Sequence, residues 1–236
     1  KGSCLLHRKG EKQMQPLELY IHIPFCVKKC AYCDFLSGPA GEKEKEEYVK
    51  MLVDEIRNCP DTVQNYRVIS IFFGGGTPSL LTGEQIGRLM DTVREIFTLD
   101  EDAEITMEMN PGTVTEEKLR KYRQAGVNRL SIGLQSVNDE ELRLLGRIHT
   151  YEEFREAYHL ARANGFSNIN VDLISAIPGQ TVESWRRTLE QVMALSPEHI
   201  SAYSLILEEG TTFYKKYVED EAKEGPKLPD EDAERQ

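Results

Sequence analysis

Apolar residues recur along the chain with two alternating periods, that of a β-strand and that of an α-helix. Short apolar runs, typical of buried strands, alternate with longer segments in which apolar residues recur every three or four positions. The predicted strands are residues 17–24, 68–73, 103–109, 129–133, 168–174 and 199–206. The predicted helices are residues 42–58, 83–97, 115–125, 139–145, 151–164 and 182–195.

Some of the predicted helices also show an apolar face or a start signal. The apolar face of 42–58 carries Tyr48, Met51, Leu52 and Ile56. The apolar face of 83–97 carries Ile86, Leu89, Met90, Val93 and Phe97. The run from Thr113 to Glu116 resembles a helix N-cap, which supports the start of 115–125. We expect these faces to pack on a sheet.

The alternation predicts an α/β fold. Six strand–helix units with short connections favour a parallel sheet with helices on the outside. Right-handed crossovers would curl that sheet into a partial (β/α)6 barrel, and a doubly wound open sheet is the alternative. The predicted division is an N-terminal arm at 1–16, a barrel domain at 17–207 and a charged linker at 208–236.

Several polar or glycine-rich positions follow the predicted strands. A cysteine-containing loop follows the first strand, Gly74–Gly76 follows the second, Glu108 is near the end of the third and Gln135 follows the fourth. In barrels of this kind, functional groups lie where strands end and loops begin. We therefore expect these residues to converge on one mouth.

Composition and charge restrict the classes of function. The 236 residues carry a net charge of −11, which argues against a nucleic-acid-binding surface. No apolar run approaches the roughly 18–20 residues that span a bilayer, so no membrane anchor is expected. The five cysteines are an odd number without an apolar leader, which disfavours a disulfide framework. We expect a reducing, cytoplasmic location.

Three of the cysteines form a compact motif, Cys26-x-x-x-Cys30-x-x-Cys33. Thiolates in a tight loop suit an iron–sulfur cluster or zinc. Three ligands on a four-iron cubane leave one iron open to a small molecule with an amine and a carboxylate, such as S-adenosylmethionine (SAM). A zinc-stabilised binding module without redox chemistry is the alternative, although structural zinc normally takes four ligands in spaced pairs. His22 is a conceivable fourth ligand, but it lies on a predicted strand.

The sequence resembles the radical SAM superfamily and, within it, the coproporphyrinogen-oxidase-like branch. The resemblance runs from about residue 17 to residue 212. Its motifs are YIHIPFC at 20–26, FGGGTP at 73–78, SIGLQS at 131–136, GR at 146–147 and VDLI at 171–174. It implies a [4Fe-4S] cluster on the three cysteines, bound SAM and a C-terminal domain that this chain lacks.

One position divides that branch. Oxygen-independent coproporphyrinogen III oxidases carry a further cysteine two residues after the third cluster cysteine, where this chain has Phe35. A phenylalanine at this position makes the motif resemble that of the HemW-type heme chaperone subgroup. The resemblance then implies binding of heme or a porphyrin, an electron donor such as a flavodoxin or ferredoxin, and a heme-accepting respiratory protein. The oxidase, which decarboxylates coproporphyrinogen III, is the alternative, and SAM-dependent methylation or sulfur insertion also stays open. No histidine pair stands out as a heme ligand.

The resemblance also implies residues that contact SAM. The turn at Gly75, Gly76 and Thr77 would bind the methionyl amine, and Tyr20 would touch SAM. Tyr32 could stack on adenine.

Four polar residues complete the implied SAM site. Glu108 would accept the ribose hydroxyls, Gln135 would bind polar atoms of SAM, and Arg147 would hold the methionyl carboxylate. Asp172 lies inside an apolar strand, where a carboxylate needs a partner such as Arg147 or a ribose.

Overall fold

The computed structural model describes residues 14–220 and 225–230. The strands are β1 (Gln15–Ile23), β2 (Tyr66–Gly75), β3 (Thr98–Met109), β4 (Arg129–Gln135), β5 (Ile169–Ser175) and β6 (His199–Ser204). The helices are α1 (Glu42–Arg57), α2 (Gly83–Ile96), α3 (Glu116–Ala125), α4 (Asp139–Leu145), α5 (Tyr151–Ala163), α6 (Val182–Ala194) and α7 (Thr212–Tyr214), which a π-helical turn at Lys215–Glu219 continues.

The six strands form one parallel sheet in the order β1-β2-β3-β4-β5-β6. A doubly wound sheet reverses its strand order at a switch point, and no such reversal occurs among the described strands. Because each crossover leads to the next strand on the same side, the sheet curls into an open half-barrel with helices outside. The predicted partial (β/α)6 barrel is confirmed, and the doubly wound alternative is wrong.

Strand alternation gives the sheet two different faces. Ile105 and Met107 of β3, and Val171 and Leu173 of β5, are buried in the main hydrophobic core. Successive side chains of a strand point to opposite faces, so Glu108 and Asp172 lie on the other, concave face. The concave face is therefore the side on which polar chemistry is placed.

Two predicted details differ from the structure. Met51 was expected on the packed face of α1, but 69% of it is exposed, and the buried positions of this helix are Lys45 and Val49. β3 begins at Thr98, earlier than predicted. Its pairing with β2 shifts in register between Leu99 and Glu104, so the polar residues between them interrupt the apolar pattern without ending the strand. The helix start at Thr115 is confirmed, since its hydroxyl accepts a hydrogen bond from the Lys118 amide.

The segment after β6 packs on the barrel. Phe213 is buried in a small cluster with Leu145, Ile174 and Ile177. The segment was expected to be a charged linker because its periodicity fades, yet Phe213 anchors it to the barrel, and Leu205, Leu207 and Tyr217 pack around the same cluster. The domain boundary itself stays a prediction.

The N-terminal arm falls largely outside the described residues. β1 begins at Gln15, two residues before the predicted start of the barrel domain. Cys4 and the remaining residues of 1–13 lie outside the description. Among the described helices, none is both long enough and apolar enough to cross a bilayer.

Candidate functional site

The cysteine loop between β1 and α1 is held by backbone hydrogen bonds at its base and its middle. The Cys26 amide donates to the Gly38 carbonyl at 2.9 Å, and the Gly38 amide donates to the Pro24 carbonyl at 3.0 Å. In the middle, the Ala31 amide donates to Leu145 at the end of α4, and the Ala31 carbonyl accepts from Phe213, both at 2.9 Å. The loop is therefore fixed against α4 and the C-terminal segment.

The glycine-rich turn after β2 lies directly beneath this loop. The Gly76 amide donates to the Ile23 carbonyl at 2.8 Å, and the Thr77 amide donates to the Phe25 carbonyl at 2.7 Å. A Cβ atom on Gly76 would come within 2.6 Å of the Phe25 carbonyl oxygen. The backbones approach too closely for any residue with a side chain, so the glycine is required here.

The carboxyl ends of the strands and the cysteine loop surround one cavity of about 430 Å³. The predicted residues that line it are Cys26, Cys30, Tyr32, Cys33, Gly75, Gly76, Thr77, Glu108, Gln135, Arg147 and Asp172. Convergence on one mouth is therefore observed. Tyr20 is not among the lining residues. It lies on β1 with 61% of its surface exposed.

The three cysteines of the motif are unpaired thiols at the rim of this cavity. The Sγ of Cys26 is 3.6 Å from the Thr77 hydroxyl, and Arg147 Nη1 donates to Cys30 Sγ at 3.8 Å. Burial raises the pKa of the Cys33 thiol. Across the described ranges, no three His, Cys, Asp or Glu side chains are grouped as ligands of a single metal ion.

Two carboxylates of the concave face point into the cavity. Burial raises the pKa of Glu108 to about 7, the hydrogen bond that its Oε2 accepts from the Gly75 amide at 3.0 Å lowers it, and the charge of Asp172 raises it. Burial also raises the pKa of Asp172, while donation from Ser131 and Asn170, each at 2.8 Å, lowers it. Among the protein side chains, Ser131 and Asn170 rather than the expected Arg147 donate to the Asp172 carboxylate, and a contact with a ribose stays a prediction.

Gln135 and Arg147 meet at the end of β4. Gln135 has a φ of 77°, a conformation that costs energy for a residue with a side chain and that concentrates at functional sites. Arg147 Nη2 donates to the Gly133 carbonyl at 2.7 Å. A Cβ atom on Gly133 would lie 3.0 Å from the Gln135 amide and 3.1 Å from Arg147. The glycine thus leaves space for both polar side chains over the cavity.

The comparisons with known proteins decide the family. Residues 20–192 match the radical SAM superfamily. The chain belongs to this superfamily. The resemblance inferred from the cysteine, glycine-rich and β4 motifs is confirmed.

Several members of the superfamily are similar over nearly the whole chain. The heme chaperone HemW of Escherichia coli is 45% identical over 94% of this chain, and that of Haemophilus influenzae is 41% identical over 94%. The solved structure of coproporphyrinogen III oxidase (HemN) from Escherichia coli is 34% identical, with a TM-score of 0.83 over 94% of this chain. The chain spans only 57% of each chaperone and 50% of that oxidase chain.

The radical SAM fold implies a [4Fe-4S] cluster and bound SAM, and the lining residues fit both. Buried polar atoms are nearly always hydrogen-bonded, yet Asn110 Oδ1, Gln135 Oε1 and Arg147 Nε have no protein partner among the described residues. All three belong to residues that line the cavity. A ligand with amino-acid and nucleoside groups would supply the missing donors and acceptors. Thiolates spread around a rim suit a multi-iron cluster, in which different irons bind different thiolates.

Some lining residues were not predicted as site residues. Asn110 follows β3 directly, and its position at a strand end was a signal that could have identified it. Tyr203 of β6 lines the same cavity, and burial raises its pKa to about 12. Ser131 orients the Asp172 carboxylate. Ser131 opens the SIGLQS motif but was not recognised as a site residue, and Tyr203 lies in no motif; the roles of both depend on the curvature of the sheet.

Proposed function

We propose that this chain is the radical SAM portion of a heme chaperone, which binds heme and passes it to a respiratory protein. The observation that carries the proposal is the residue two positions after Cys33. Phe35 lines the cavity, and 59% of it is exposed. The identity of 45% to a protein named heme chaperone HemW supports the same function.

Phe35 matters because of what it cannot do. A thiol at this place would add a metal ligand or a redox-active group beside the cluster. A phenyl ring adds neither, and offers an apolar surface to a ligand at the mouth of the cavity. Phe35 therefore favours a site that binds and retains a ligand over a site that decarboxylates one.

In this proposal the superfamily cofactors occupy the cavity. Cys26, Cys30 and Cys33 would hold the cluster, and bound SAM would supply reductive cleavage of its sulfonium bond. Gly75, Gly76 and Thr77 would offer backbone groups to SAM. Glu108, Gln135, Arg147 and Asp172 would bind its polar atoms, and Tyr32 would pack on its adenine ring.

The protein partners remain proposals of the same kind. An electron donor such as a flavodoxin or ferredoxin would reduce the cluster. A respiratory protein would accept the heme, and the exchange would take place in the cytoplasm. No residue of this chain is assigned to an acceptor.

The second candidate is oxidative decarboxylation of coproporphyrinogen III, which the likeness to the HemN structure favours. The deciding experiment adds hemin to the reconstituted chain and, separately, incubates the chain with coproporphyrinogen III, SAM and a reductant under anaerobic conditions. We expect stoichiometric hemin binding and no release of carbon dioxide. Conversion of coproporphyrinogen III over several turnovers would contradict the proposal, and Phe35→Cys tests whether a thiol alone restores it.

A further inference from the structure

Two aromatic rings of the concave face lie outside the cavity, Tyr20, which is exposed, and Phe72, which is half-buried. The ring of Tyr20 stacks on that of Phe72, with centroids 6.1 Å apart and planes inclined by 15°. A Cβ atom on Gly74 would come within 2.8 Å of the Phe72 ring and 2.9 Å of the Tyr20 ring. The absence of a side chain at Gly74 therefore makes room for the ring pair on β1 and β2. Aromatic residues packed for stability alone are normally covered far better than a Tyr20 that is 61% exposed.

The cysteine loop extends this surface. Leu36 is 86% exposed, and its carbonyl oxygen is 3.2 Å from His22 Nε2. The other ring nitrogen of His22 is 3.3 Å from the Tyr20 hydroxyl. The histidine thus ties Leu36 to the ring pair. We call Tyr20, Phe72 and Leu36 the ring-pair patch.

We propose that the ring-pair patch is a stacking surface for the face of a heme, which binds beside the cofactor cavity and not within it. This inference rests on the proposed heme function and names its site. None of the three patch residues lines the cavity. A volume of about 430 Å³ is near the lower end of the roughly 300–1,000 Å³ found for small-molecule sites, so SAM and a tetrapyrrole would compete for the same cavity.

The charges of the cysteine loop suit the carboxylates of heme. Lys28 and Lys29 are exposed and line the cavity rim together with Phe35. Neither lysine forms a salt bridge within residues 14–220 and 225–230. Asp34 is the acidic residue of the same loop, so residues 26–38 keep one net positive charge in a chain of net charge −11. A flat apolar ring with two propionates matches an apolar patch together with two lysines that share the cysteine loop with Leu36.

The potential iron ligands at the patch, Tyr20 and His22, are hydrogen-bonded to each other. Both ring nitrogens of His22 are engaged, one with the Leu36 carbonyl and one with the Tyr20 hydroxyl. Recognition would therefore rely on the ring face and the propionates. Metal-free protoporphyrin IX is then expected to bind nearly as well as hemin, which a site built on an axial ligand would not allow.

The test titrates hemin, and separately protoporphyrin IX, into the 236-residue chain without SAM. Binding is followed by absorbance for hemin and by fluorescence for protoporphyrin IX. Tyr20→Ser and Leu36→Ser are each expected to weaken binding of both compounds by roughly 5- to 10-fold, as the loss of one stacking or apolar contact predicts. Tyr20→Phe is expected to bind within about twofold of wild type. Met51→Ser, a change at a similarly exposed apolar residue of α1, is the control. It is also expected to bind both compounds within about twofold of wild type.

Three results would overturn the inference, and they are distinguishable. Unchanged hemin affinity in both serine variants would reject the patch and leave the chaperone proposal intact. Hemin binding without protoporphyrin IX binding would show iron ligation and again reject only the patch. Failure of the wild-type chain to bind hemin would reject both proposals. Leu36 is so exposed that Leu36→Ser keeps the test decisive even where Tyr20→Ser fails to fold.

Discussion

Glu108 is a cavity residue whose burial makes protein stability depend on pH. Burial raises the pKa of its carboxyl from 4.5 to about 7, so the folded state binds more protons than the unfolded state between these pH values. The Glu108 contribution to the free energy of unfolding of the apoprotein should therefore fall as the pH rises from about 4.5 to about 7, against a rise contributed by His149, whose pKa burial lowers to about 3. In Glu108→Gln this fall should be smaller by on the order of 2–3 kcal/mol. Urea denaturation at several pH values measures the difference.

Glu46 provides a control of opposite sign. Arg88 and Gln85 donate to its carboxylate and lower its pKa to about 2. Stability gained there is present above the unfolded pKa and is lost as the pH falls toward 2. Glu46→Gln should leave the change in the free energy of unfolding between pH 4.5 and 7 as it is in wild type. Identical pH profiles for wild type and Glu108→Gln would mean that Glu108 is well solvated.

Gly75 and Gly87 offer a matched pair of glycine substitutions. Gly75 has a φ of 109°, and a Cβ atom would come within 2.4 Å of the His22 ring. Gly75→Ala should lower the free energy of unfolding by about 1–3 kcal/mol. Gly87 lies in α2 with no atom within 4 Å of an added Cβ, so Gly87→Ala should raise it by about 0.5–1 kcal/mol. Thermal denaturation of both variants checks the two signs, and equal effects would contradict the account.

At this scale the sequence was informative where chemistry is local. The spacing of Cys26, Cys30 and Cys33, and the glycines of the β2 turn, could be recognised because short loops restrict which residues fit. The exposure of Tyr20 could not be predicted, because alternation along a strand gives the face but not what covers it. Tyr203 was missed for a related reason, since its contribution depends on how far the sheet curls, whereas Asn110 could have been identified from its position at a strand end.

At the scale of elements, the segment after β6 most clearly exceeds what periodicity predicts. Phe213 is 2% exposed, and its amide donates to the Ala31 carbonyl of the cysteine loop. Phe213→Ala should lower the free energy of unfolding by about 3 kcal/mol and speed hydrogen exchange in the cysteine loop. Val218→Ala, at a 44% exposed position of the same segment, should change stability by less than about 0.5 kcal/mol.

For Phe213→Ala, hydrogen exchange in the cysteine loop is more informative than the loss of stability. Loss of stability without faster exchange in the loop would mean that Phe213 supports the core but does not hold the loop. The strands and helices of the barrel were predicted well because their apolar periods are long and regular. The short helix at Thr212–Tyr214 was not, since one buried aromatic residue produces no period.

At the scale of the molecule, the curvature of the sheet brings the loops that form the site together. The parallel strands appear in chain order, so the loops after β1, β2, β3 and β4 meet at one mouth although they are far apart in sequence. The order of strands could be predicted from the alternation of elements. The position of the ring-pair patch outside the mouth could not, because it depends on where the half-barrel is left open.

The most direct test of the account is the metal content of the anaerobically reconstituted chain, with electron paramagnetic resonance of the reduced protein with and without SAM. The account predicts about four irons per chain, a signal that changes when SAM is added, loss of iron in Cys30→Ala and retention in Cys59→Ala, whose thiol lies at the end of α1. Bound zinc in place of iron, or a signal that SAM does not alter, would contradict it.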